Sequence, residues 1–527
     1  MSRAQDEIIP NSPRVFDTPT LLFMLAALLF LYAFVFVPPF APIDHSGDGL
    51  VILGDALRMR DGEVMYRDFF QFTAPGTALV YFLVFELFGP RLWVLSLALL
   101  LLGIGLAWLG IVIARKVMRR NLALLPSAIF LVGVYKNRLD ATHHWYSLLT
   151  ATAALAVLME RRTAARIVAT GFLCGLTACF TQSSGLAVTV GFAAYLWWES
   201  RGRREDWRQL LKKEAWLLGG VLMALVGVNA YFVWKAGLAR FLWCTIVFGL
   251  KYHPKQMDEN SFWVLTNDLP RLAWQANVFF RLATWLFIFV VVPLIPILFF
   301  GRYWRESRNK PREYWERPML LAMVGSLMVL SVVPAPASIR VASSTLPGIV
   351  LLGWFLDSPR KLGRSIAVLL TAGILFVIPH GVARFQSIER GILTTPHGQL
   401  AVADPEILEQ YSWVLQHTHP SEYLYQAAAP YMYFYLDLRN PTPLPLLTNC
   451  GYTTPEQVAE ATRGLERHRV RYVVWSPSIL DTIPDWEKPS DNHLGPLRDY
   501  LHRYYRLVKV FPNSDEVWER TAEQELE

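Results

Sequence analysis

Long apolar runs separated by short polar connections make up the chain as far as about residue 384. A helix needs about 20 apolar residues to cross the roughly 30 Å of hydrocarbon in a bilayer. Runs of that length without Asp, Glu, Lys or Arg include Thr18–Ile43, Leu92–Ala114, Ala215–Trp234, Leu282–Gly301 and Pro318–Ile339, and residues 167–198 form a longer one. The pattern therefore predicts an all-α polytopic membrane domain over residues 1–384.

Clusters of Lys and Arg between the apolar runs set the predicted orientation. They lie at 115–120, 161–166, 201–213, 302–317 and 360–364. Such clusters stay on the cytoplasmic side, so an even number of crossings must separate each consecutive pair. About eleven transmembrane helices satisfy this parity. They are predicted at 20–40, 92–114, 122–136, 145–159, two within 167–198, 215–234, 282–300, 318–338, 341–356 and 365–383. The N-terminus is then cytoplasmic, and everything after residue 385 is extracytoplasmic.

The first outer loop contains a further apolar segment. The even-number condition on crossings does not allow this segment to cross the bilayer. If Thr73–Gly89 crossed the bilayer, every basic cluster downstream would face outward. We therefore predict a lateral helix in the outer interface, where aromatic residues such as Tyr81 and Phe85 are favourable. Gly49–Arg60 also has its leucines on one helical face, which predicts a second lateral helix.

The last part of the chain has a different pattern, which predicts a small α/β extracytoplasmic domain over residues 385–527. Residues 404–417 and 455–469 have helical periodicity, whereas Tyr472–Trp475 and Leu507–Phe511 are typical of buried strands. This region contains no nucleotide-binding glycine loop.

Composition and charge narrow the class of partner. Of the residues, 53% are hydrophobic, and the formal net charge is +7. The basic residues lie between apolar runs rather than on a soluble module, so they indicate orientation in a lipid bilayer and no nucleic-acid partner. The expected location is a bacterial-type plasma (inner) membrane, as a multi-pass protein.

Asp48 stands just beyond the first predicted crossing, at the membrane boundary. A partly desolvated carboxylate gains proton affinity and can act as a general base. An ordinary loop acid or helix cap would have the same sequence position. The residues that follow Asp48 favour the first interpretation.

From Asp48 the chain reads DGLVILGDALRMRDGEVMYRDFFQFTAPGT. This segment resembles the GT-C superfamily of polyprenyl-phosphate-sugar glycosyltransferases, in its protein O-mannosyltransferase-like and lipid A aminoarabinose-transferase-like branch. The matching positions are an acid that opens the first outer loop, a Gly about a dozen residues later, a Tyr-Arg-Asp-like segment and a Pro in the lateral helix. They are Asp48, Gly62, Tyr66, Arg67, Asp68 and Pro75. Members of the superfamily commonly have a second acid directly after the first one. This chain has Gly49 at that position.

The resemblance implies that Asp48 is the catalytic base and that Tyr66, Arg67 and Asp68 contribute to substrate binding. It also implies a polyprenyl-phosphate-linked sugar donor, an envelope acceptor (glycolipid, polysaccharide or protein) and inversion at the anomeric carbon of a hexose or pentose. No cofactor is implied with certainty. A divalent metal is compatible with the family but is not favoured, because Gly49 stands where an acid often binds.

Asp140 lies in the second predicted outer loop, where the family often has another acid. It is either a second catalytic carboxylate that orients the acceptor or binds a metal, or the ion-pair partner of Arg138 or Lys136. His143 and His144 follow, and adjacent helical residues diverge by about 100°, so at most one is expected to face the site. Each is either a substrate-binding residue or a packing residue at the interface.

A departing lipid phosphate needs cations nearby. The candidates on the predicted outer face are Lys251, His253 and Arg340. Arg340 is the strongest candidate, because a single Arg between two apolar crossings is costly without an anion. Contact with lipid headgroups is the alternative.

Other classes of membrane protein remain as alternatives at this point. A transporter or flippase would need charged groups along a path near the bilayer midplane, whereas the acids here gather at one face. A polymerase or ligase of the O-antigen type also uses lipid-linked donors. It depends on arginines and a histidine in a large late outer loop.

Overall fold

The computed structural model describes residues 17–119, 122–252, 278–357, 361–428, 430–447, 453–477, 479 and 494–521. Helices make up most of the chain before residue 387. Those of the first half are α1 (Thr18–Val35), α2 (Asp48–Arg60), α3 (Gly76–Phe88), α4 (Trp93–Val117), α5 (Leu125–Ile129), α6 (His143–Leu158), α7 (Ala164–Phe180), α8 (Gln182–Arg203) and α9 (Trp207–Ala236). The next are α10 (Leu238–Leu242), α11 (Phe248–Tyr252), α12 (Val278–Leu286), α13 (Val292–Glu306), α14 (Arg312–Val332), α15 (Ser338–Ala342), α16 (Leu346–Leu356) and α17 (Lys361–Gln386).

Each predicted crossing coincides with a helix or a chain of helical turns. Helix α5 continues through a π-helical turn and a 3₁₀ turn to Asn137, and α12 joins α13 through another π-helical turn. Within the described residues, six helices are long and apolar enough to cross a membrane. The chain is therefore a multi-pass membrane protein, and the number of eleven crossings stays a prediction.

Two crossings differ from their predicted bounds. The span predicted at 20–40 is helical only as far as Val35, after which a short strand begins at Phe36. The predicted span 341–356 is interrupted, so that α15 ends at Ala342 and α16 begins only at Leu346. Between them, the hydroxyl groups of Ser343, Ser344 and Thr345 donate hydrogen bonds of 2.8–2.9 Å to backbone carbonyls three residues earlier. Such local bonds compete with helix continuation, which explains the break.

Small residues let the central helices approach closely. Helix α7 packs between α6 and α9. A Cβ added to Gly171 of α7 would lie 2.0 Å from the carbonyl oxygen of Leu217, and one added to Gly220 of α9 would lie 2.2 Å from that of Val168. Glycine is thus required on both sides of this contact, as is common where membrane helices pack against each other.

The basic clusters meet acids at one end of the helical bundle. Lys116 pairs with Glu160 at 2.5 Å, and Arg119 pairs with Asp357 at 2.7 Å. The carboxylate of Glu199, which is fully buried, is 3.0 Å from Arg162 and 3.1 Å from Arg203. These pairs join connections that are far apart in sequence, so the clusters share one end of the bundle. Its assignment to the cytoplasmic side stays a prediction.

The first outer loop forms the two short helices expected from its pattern. Helices α2 and α3 pack against each other, and neither meets the length needed to cross a bilayer. Inside this pair, the amide of Gln71 donates a 2.7 Å hydrogen bond to the buried carboxyl group of Asp55. Their lateral position in the interface stays a prediction.

The C-terminal region is α/β. Its strands are β3 (Gly391–Thr395), β4 (Gly398–Val402), β5 (Leu424–Gln426), β6 (Tyr472–Trp475), β7 (Tyr505–Val510) and β8 (Glu516–Arg520), after the short β1 (Phe36–Val37) and β2 (Ala41–Pro42). Its helices are α18 (Pro405–His417), α19 (Met432–Leu436), α20 (Pro455–Arg467) and α21 (Gly495–Tyr504). The larger sheet has the order β5-β6-β8-β7, parallel only between β5 and β6.

The C-terminal region is attached to the first outer loop through a common hydrophobic core. Leu53, Tyr81 and Phe85 of the loop belong to the same buried cluster as Phe434 and Trp475. The backbone also joins them, because the amide of Asp44 donates to the carbonyl of Ala401 at 2.9 Å. The division of the chain at residues 384 and 385 stays a prediction, and α17 itself ends at Gln386.

Candidate active site

Asp48 is the first residue of α2, and its side chain is exposed. The first amides of a helix have no partner within it and attract anions. Here the carboxylate of Asp140 fills that role: it accepts hydrogen bonds from the amide of Asp48 at 3.0 Å and from that of Gly49 at 2.8 Å. The two predicted catalytic acids therefore meet, although they are far apart in sequence. The alternative for Asp140, an ion pair with Arg138 or Lys136, is not among the ion pairs between described residues.

Two glycines make room for this arrangement. A Cβ added to Gly47 would lie 2.5 Å from one carboxylate oxygen of Asp140, and a Cβ added to Gly49 would lie 2.7 Å from the other. A side chain at either position would displace Asp140 from the helix terminus. This gives a physical reason why position 49 lacks the second acid expected from the family: the carboxylate of Asp140 occupies that space.

The protein environment favours the protonated form of this pair. Burial and the negative charge of Asp48 together raise the pKa of Asp140 to about 7, although the hydrogen bonds from the two backbone amides lower it. The surrounding protein also partly desolvates Asp48 and raises its pKa, although its side chain stays accessible to solvent, while the positive charge of Arg340 lowers that pKa. Asp48 is the more accessible member of the pair, so it is the one that can exchange a proton with a substrate.

Arg340 brings a positive charge to the same cleft. It lies on α15, and its guanidinium group donates one hydrogen bond of 3.4 Å to the carbonyl of Ala335. In the part of the chain that the structure describes, no carboxylate forms an ion pair with it. It interacts electrostatically with Asp48, His143 and His144. A guanidinium group without an anionic partner beside an accessible acid can bind a phosphate.

The two histidines differ in exposure, as the helical geometry predicted. His144 is buried, whereas His143 is half-buried at the start of α6. The ring nitrogen Nδ1 of His143 is 3.1 Å from the hydroxyl of Thr142, and the centroids of the two imidazole rings are 4.0 Å apart. His143 is thus the better placed of the two to meet a ligand.

The Tyr-Arg-Asp segment is built into the loop, and none of its contacts is with the Asp48 pair. Tyr66 is buried, has a φ of +70°, and donates to the carbonyl of Thr73 at 2.7 Å. Arg67 and Asp68 are exposed and pair with each other at 2.7 Å. These contacts stabilise the loop. A part for the three residues in substrate binding stays a prediction.

Of the remaining predicted cations, the structure describes Lys251, which forms no ion pair or hydrogen bond with the pair among the described residues. Lys251 is exposed near the end of α11, where its ammonium group lies 5.1 Å from the ring centroid of Tyr252 and interacts electrostatically with Glu456. His253 lies outside the described residues.

Two tyrosines that the sequence interpretation did not single out lie close to these acids. Tyr431, from the C-terminal region, interacts electrostatically with Asp48, Asp140 and Asp44, and burial together with these acids raises its pKa to about 12. One turn later the hydroxyl of Tyr435 donates to Asp44 at 2.9 Å. The run Tyr431-Met-Tyr-Phe-Tyr435 was the available signal, because tyrosines four residues apart share a helix face.

The described residues contain no group of three or more His, Cys, Asp or Glu side chains arranged to hold a metal ion. Both oxygens of Asp140 are also engaged by backbone amides. The expectation about a divalent metal stays a prediction.

No family model and no curated protein matches the sequence. Solved structures do match. ArnT from Cupriavidus metallidurans bound to undecaprenyl phosphate has a TM-score of 0.57 at 13% identity over 96% of this chain and 98% of that one. Its apo form has a TM-score of 0.57 at 14% identity over 95% and 98%. The chain has the GT-C fold. An oligosaccharyltransferase from Archaeoglobus fulgidus, tethered to an acceptor peptide, has a TM-score of 0.50 at 11% identity over 95% of this chain and 74% of that one.

The GT-C fold accounts for the whole described architecture. The match to ArnT extends over nearly all of both chains, so it includes the C-terminal region as well as the helical bundle. At these identities the likeness shows the fold alone. The chemistry of this chain must be argued from its own residues.

Proposed function

We propose that this protein is a membrane glycosyltransferase that transfers a sugar from a polyprenyl-phosphate donor to a hydroxyl group of an envelope acceptor. The observation that carries the proposal is the pairing of an accessible acid with a nearby cation. Asp48, supported by Asp140, lies within electrostatic range of Arg340. The GT-C fold and the segment from Asp48 to Pro75 support the same reaction class.

The reaction requires a base and a stabilised leaving group. A carboxylate oxygen of Asp48 takes the proton of the acceptor hydroxyl, whose oxygen then forms a bond to the anomeric carbon. The bond from that carbon to the phosphate oxygen breaks, and its electron pair stays on the lipid phosphate. Attack opposite the leaving group inverts the anomeric carbon, as the family resemblance implies.

Arg340 is the cation proposed to stabilise the departing phosphate. Preformed cations stabilise developing negative charge most strongly where water is scarce. His143 lies beside Arg340 and can donate a further hydrogen bond to a phosphate oxygen. Lipid entry from the outer leaflet, with the C-terminal region extracytoplasmic and the N-terminus cytoplasmic, belongs to the same proposal.

Replacement of Asp48 by Asn tests the proposal. General-base catalysis contributes about 10²–10⁴-fold, so Asp48→Asn should lower transfer by that factor while the protein still folds. The assay uses the full-length protein in lipid nanodiscs, polyprenyl-phosphate sugars extracted from source membranes, and mass spectrometry of the lipid and envelope products. A strain lacking the gene should lose the same envelope product.

Asp499→Asn is the matched control. Asp499 is exposed on α21 in the C-terminal region and should be replaceable without loss of transfer. Full activity of Asp48→Asn would refute the proposed base, and a transporter or flippase would show that result.

A further inference from the structure

A cavity of about 230 Å³ lies between α2 and the C-terminal region. Its walls include Val51, Asp55 and Arg58 from α2, and Tyr423 and Tyr433 from the opposite side. The volume is below the roughly 300–1,000 Å³ of sites for drug-sized ligands. It therefore suits one small unit, such as a single sugar ring, rather than an acyl chain.

Each cation in the cavity wall is paired with an acid. Arg58 pairs with Glu63 at 2.6 Å, and Arg439 pairs with Asp61 at 3.2 Å. Among the described residues that line the cavity, these are the only two cations, so an anionic ligand would find no positive charge without a partner. Tyrosine phenols and aromatic rings remain to contact a neutral ligand rich in hydroxyl groups.

Two residues of the cavity lining are close in sequence to residues near the catalytic pair. Val51 follows Asp48 by three residues on the same helix, an axial rise of about 4.5 Å. On the other wall, Pro430 immediately precedes Tyr431. Both walls therefore lead from the cavity towards the accessible carboxylate.

Tyr431 lies between the lining residues Pro430 and Tyr433 in sequence and within electrostatic range of the pair. Its side chain is half-buried, and its hydroxyl forms no hydrogen bond within the described part of the chain. It interacts with both acids of the pair, and the bond from Tyr435 to Asp44 holds the following turn in place. The phenol is therefore available to donate to a hydroxyl oxygen that approaches Asp48.

We propose that this cavity binds a neutral saccharide unit of the acceptor and that Tyr431 orients the attacking hydroxyl towards Asp48. The inference rests on the proposed function, which supplies the donor and the base. It adds the chemical class of the acceptor and a positioning residue from the C-terminal region.

Saccharide binding can be measured without turnover. Saturation-transfer NMR of the nanodisc protein uses a panel of methyl glycosides together with glucose 6-phosphate and mannose 6-phosphate. Because Arg340 is proposed to bind phosphate elsewhere, the part of each signal that a variant filling the cavity, Gly54→Leu, removes is the part assigned to the cavity. We expect that part to be present for at least one neutral glycoside and absent for both phosphorylated sugars. A cavity signal from a phosphorylated sugar, or none from any glycoside, would overturn the inference. Neither result bears on whether Asp48 acts as a base.

Gly54→Leu places a side chain in the cavity. A Cβ at Gly54 meets no atom within 4 Å, so α2 tolerates it, and the longer side chain extends into the open volume. We expect at least a tenfold loss of glycoside binding, whereas Gly219→Leu, on α9 with equal free space, should bind normally. Unchanged binding by Gly54→Leu would contradict the assignment. Val51→Phe is the second variant if Gly54→Leu fails to fold.

Tyr431→Phe separates positioning from folding. It should raise the acceptor KM or lower transfer about tenfold, while hydrolysis of the donor by water, which needs no saccharide site, continues at the wild-type rate. Asp48→Asn should lower both reactions. An equal loss of hydrolysis and transfer in Tyr431→Phe would exclude a role confined to the acceptor.

Discussion

At the residue scale, Arg340 has two separable effects on Asp48 and on the donor. Its positive charge lowers the pKa of Asp48, and it is the proposed partner of the phosphate. Loss of this charge should therefore raise the pKa of Asp48. As the solution is acidified, the variant should then lose activity at a higher pH than the wild type. Loss of a group that stabilises the leaving group should cost about 10²–10³-fold in kcat/KM.

Arg340→Gln tests both effects in one pH profile of kcat/KM. We expect the acid limb to move to higher pH and the plateau to fall. Arg384→Gln is the matched control, because Arg384 is exposed near the end of α17. An acid limb that stays in place would show that Arg340 does not act on the base.

Gly49 is the second residue whose replacement should be informative. In Gly49→Ala the new methyl group would lie 2.7 Å from a carboxylate oxygen of Asp140, so the carboxylate must leave the helix terminus. We expect transfer to fall at least tenfold with little change in expression. Gly219→Ala, in open space on α9, is the control for the same chemical change. Wild-type transfer by Gly49→Ala would mean that the Asp140 contact is dispensable.

The parity argument needs only the positions of the basic clusters in the sequence. It therefore allowed Asp48, Asp140 and Arg340 to be predicted on the same side of the membrane without knowledge of side-chain geometry. It did not allow the partners of each group to be predicted. Tyr431 was missed because it comes from a segment almost 400 residues away from Asp48, and long-range contacts leave no local pattern. Arg67 and Asp68 were proposed from the family motif, yet they contact each other.

At the scale of elements, α2 contains a buried acid whose protonation should affect stability. Burial raises the pKa of Asp55 from its usual 3.8 to about 7, against the hydrogen bond from Gln71 and the charge of Arg58. The folded state thus binds a proton more tightly than the unfolded state. This contribution to stability is fully present below about pH 4 and is lost as the pH rises through about 7.

Asp55→Asn should remove that dependence, since an amide keeps the hydrogen bond without a charge. We expect the temperature of thermal unfolding of the wild type in detergent to move down by about 2 °C or more between pH 5 and pH 8. That of the variant should move down by less, because Asp140 still titrates in this range. Parallel shifts of the two proteins would show that Asp55 does not titrate in this range.

The helices were the most predictable elements, because apolar runs of this length have few alternatives. The predicted helices at 404–417 and 455–469 are α18 and α20. The predicted strand Leu507–Phe511 is β7, shifted by one or two residues. The break before α16 could not be predicted from hydrophobicity, because it depends on where three hydroxyl groups find their acceptors.

At the scale of the whole molecule, the orientation in the membrane can be tested by single cysteines. Asp499→Cys, in the C-terminal region, should react with a membrane-impermeant maleimide in intact spheroplasts. Arg305→Cys, at the end of α13 in a basic cluster, should react only after permeabilisation. The reverse pattern would invert the topology and place the Asp48 pair on the cytoplasmic side. Reaction of both in intact spheroplasts would refute the parity argument.

The common core of the first outer loop and the C-terminal region has a consequence for protein engineering. Residues such as Leu53 and Phe85 have their apolar partners in the last quarter of the chain. A hybrid enzyme that exchanged only the end of the chain with a homologue would therefore present mismatched surfaces to the loop that holds Asp48. Productive chimaeras should inherit both segments from one parent, although the gene separates them by several hundred codons.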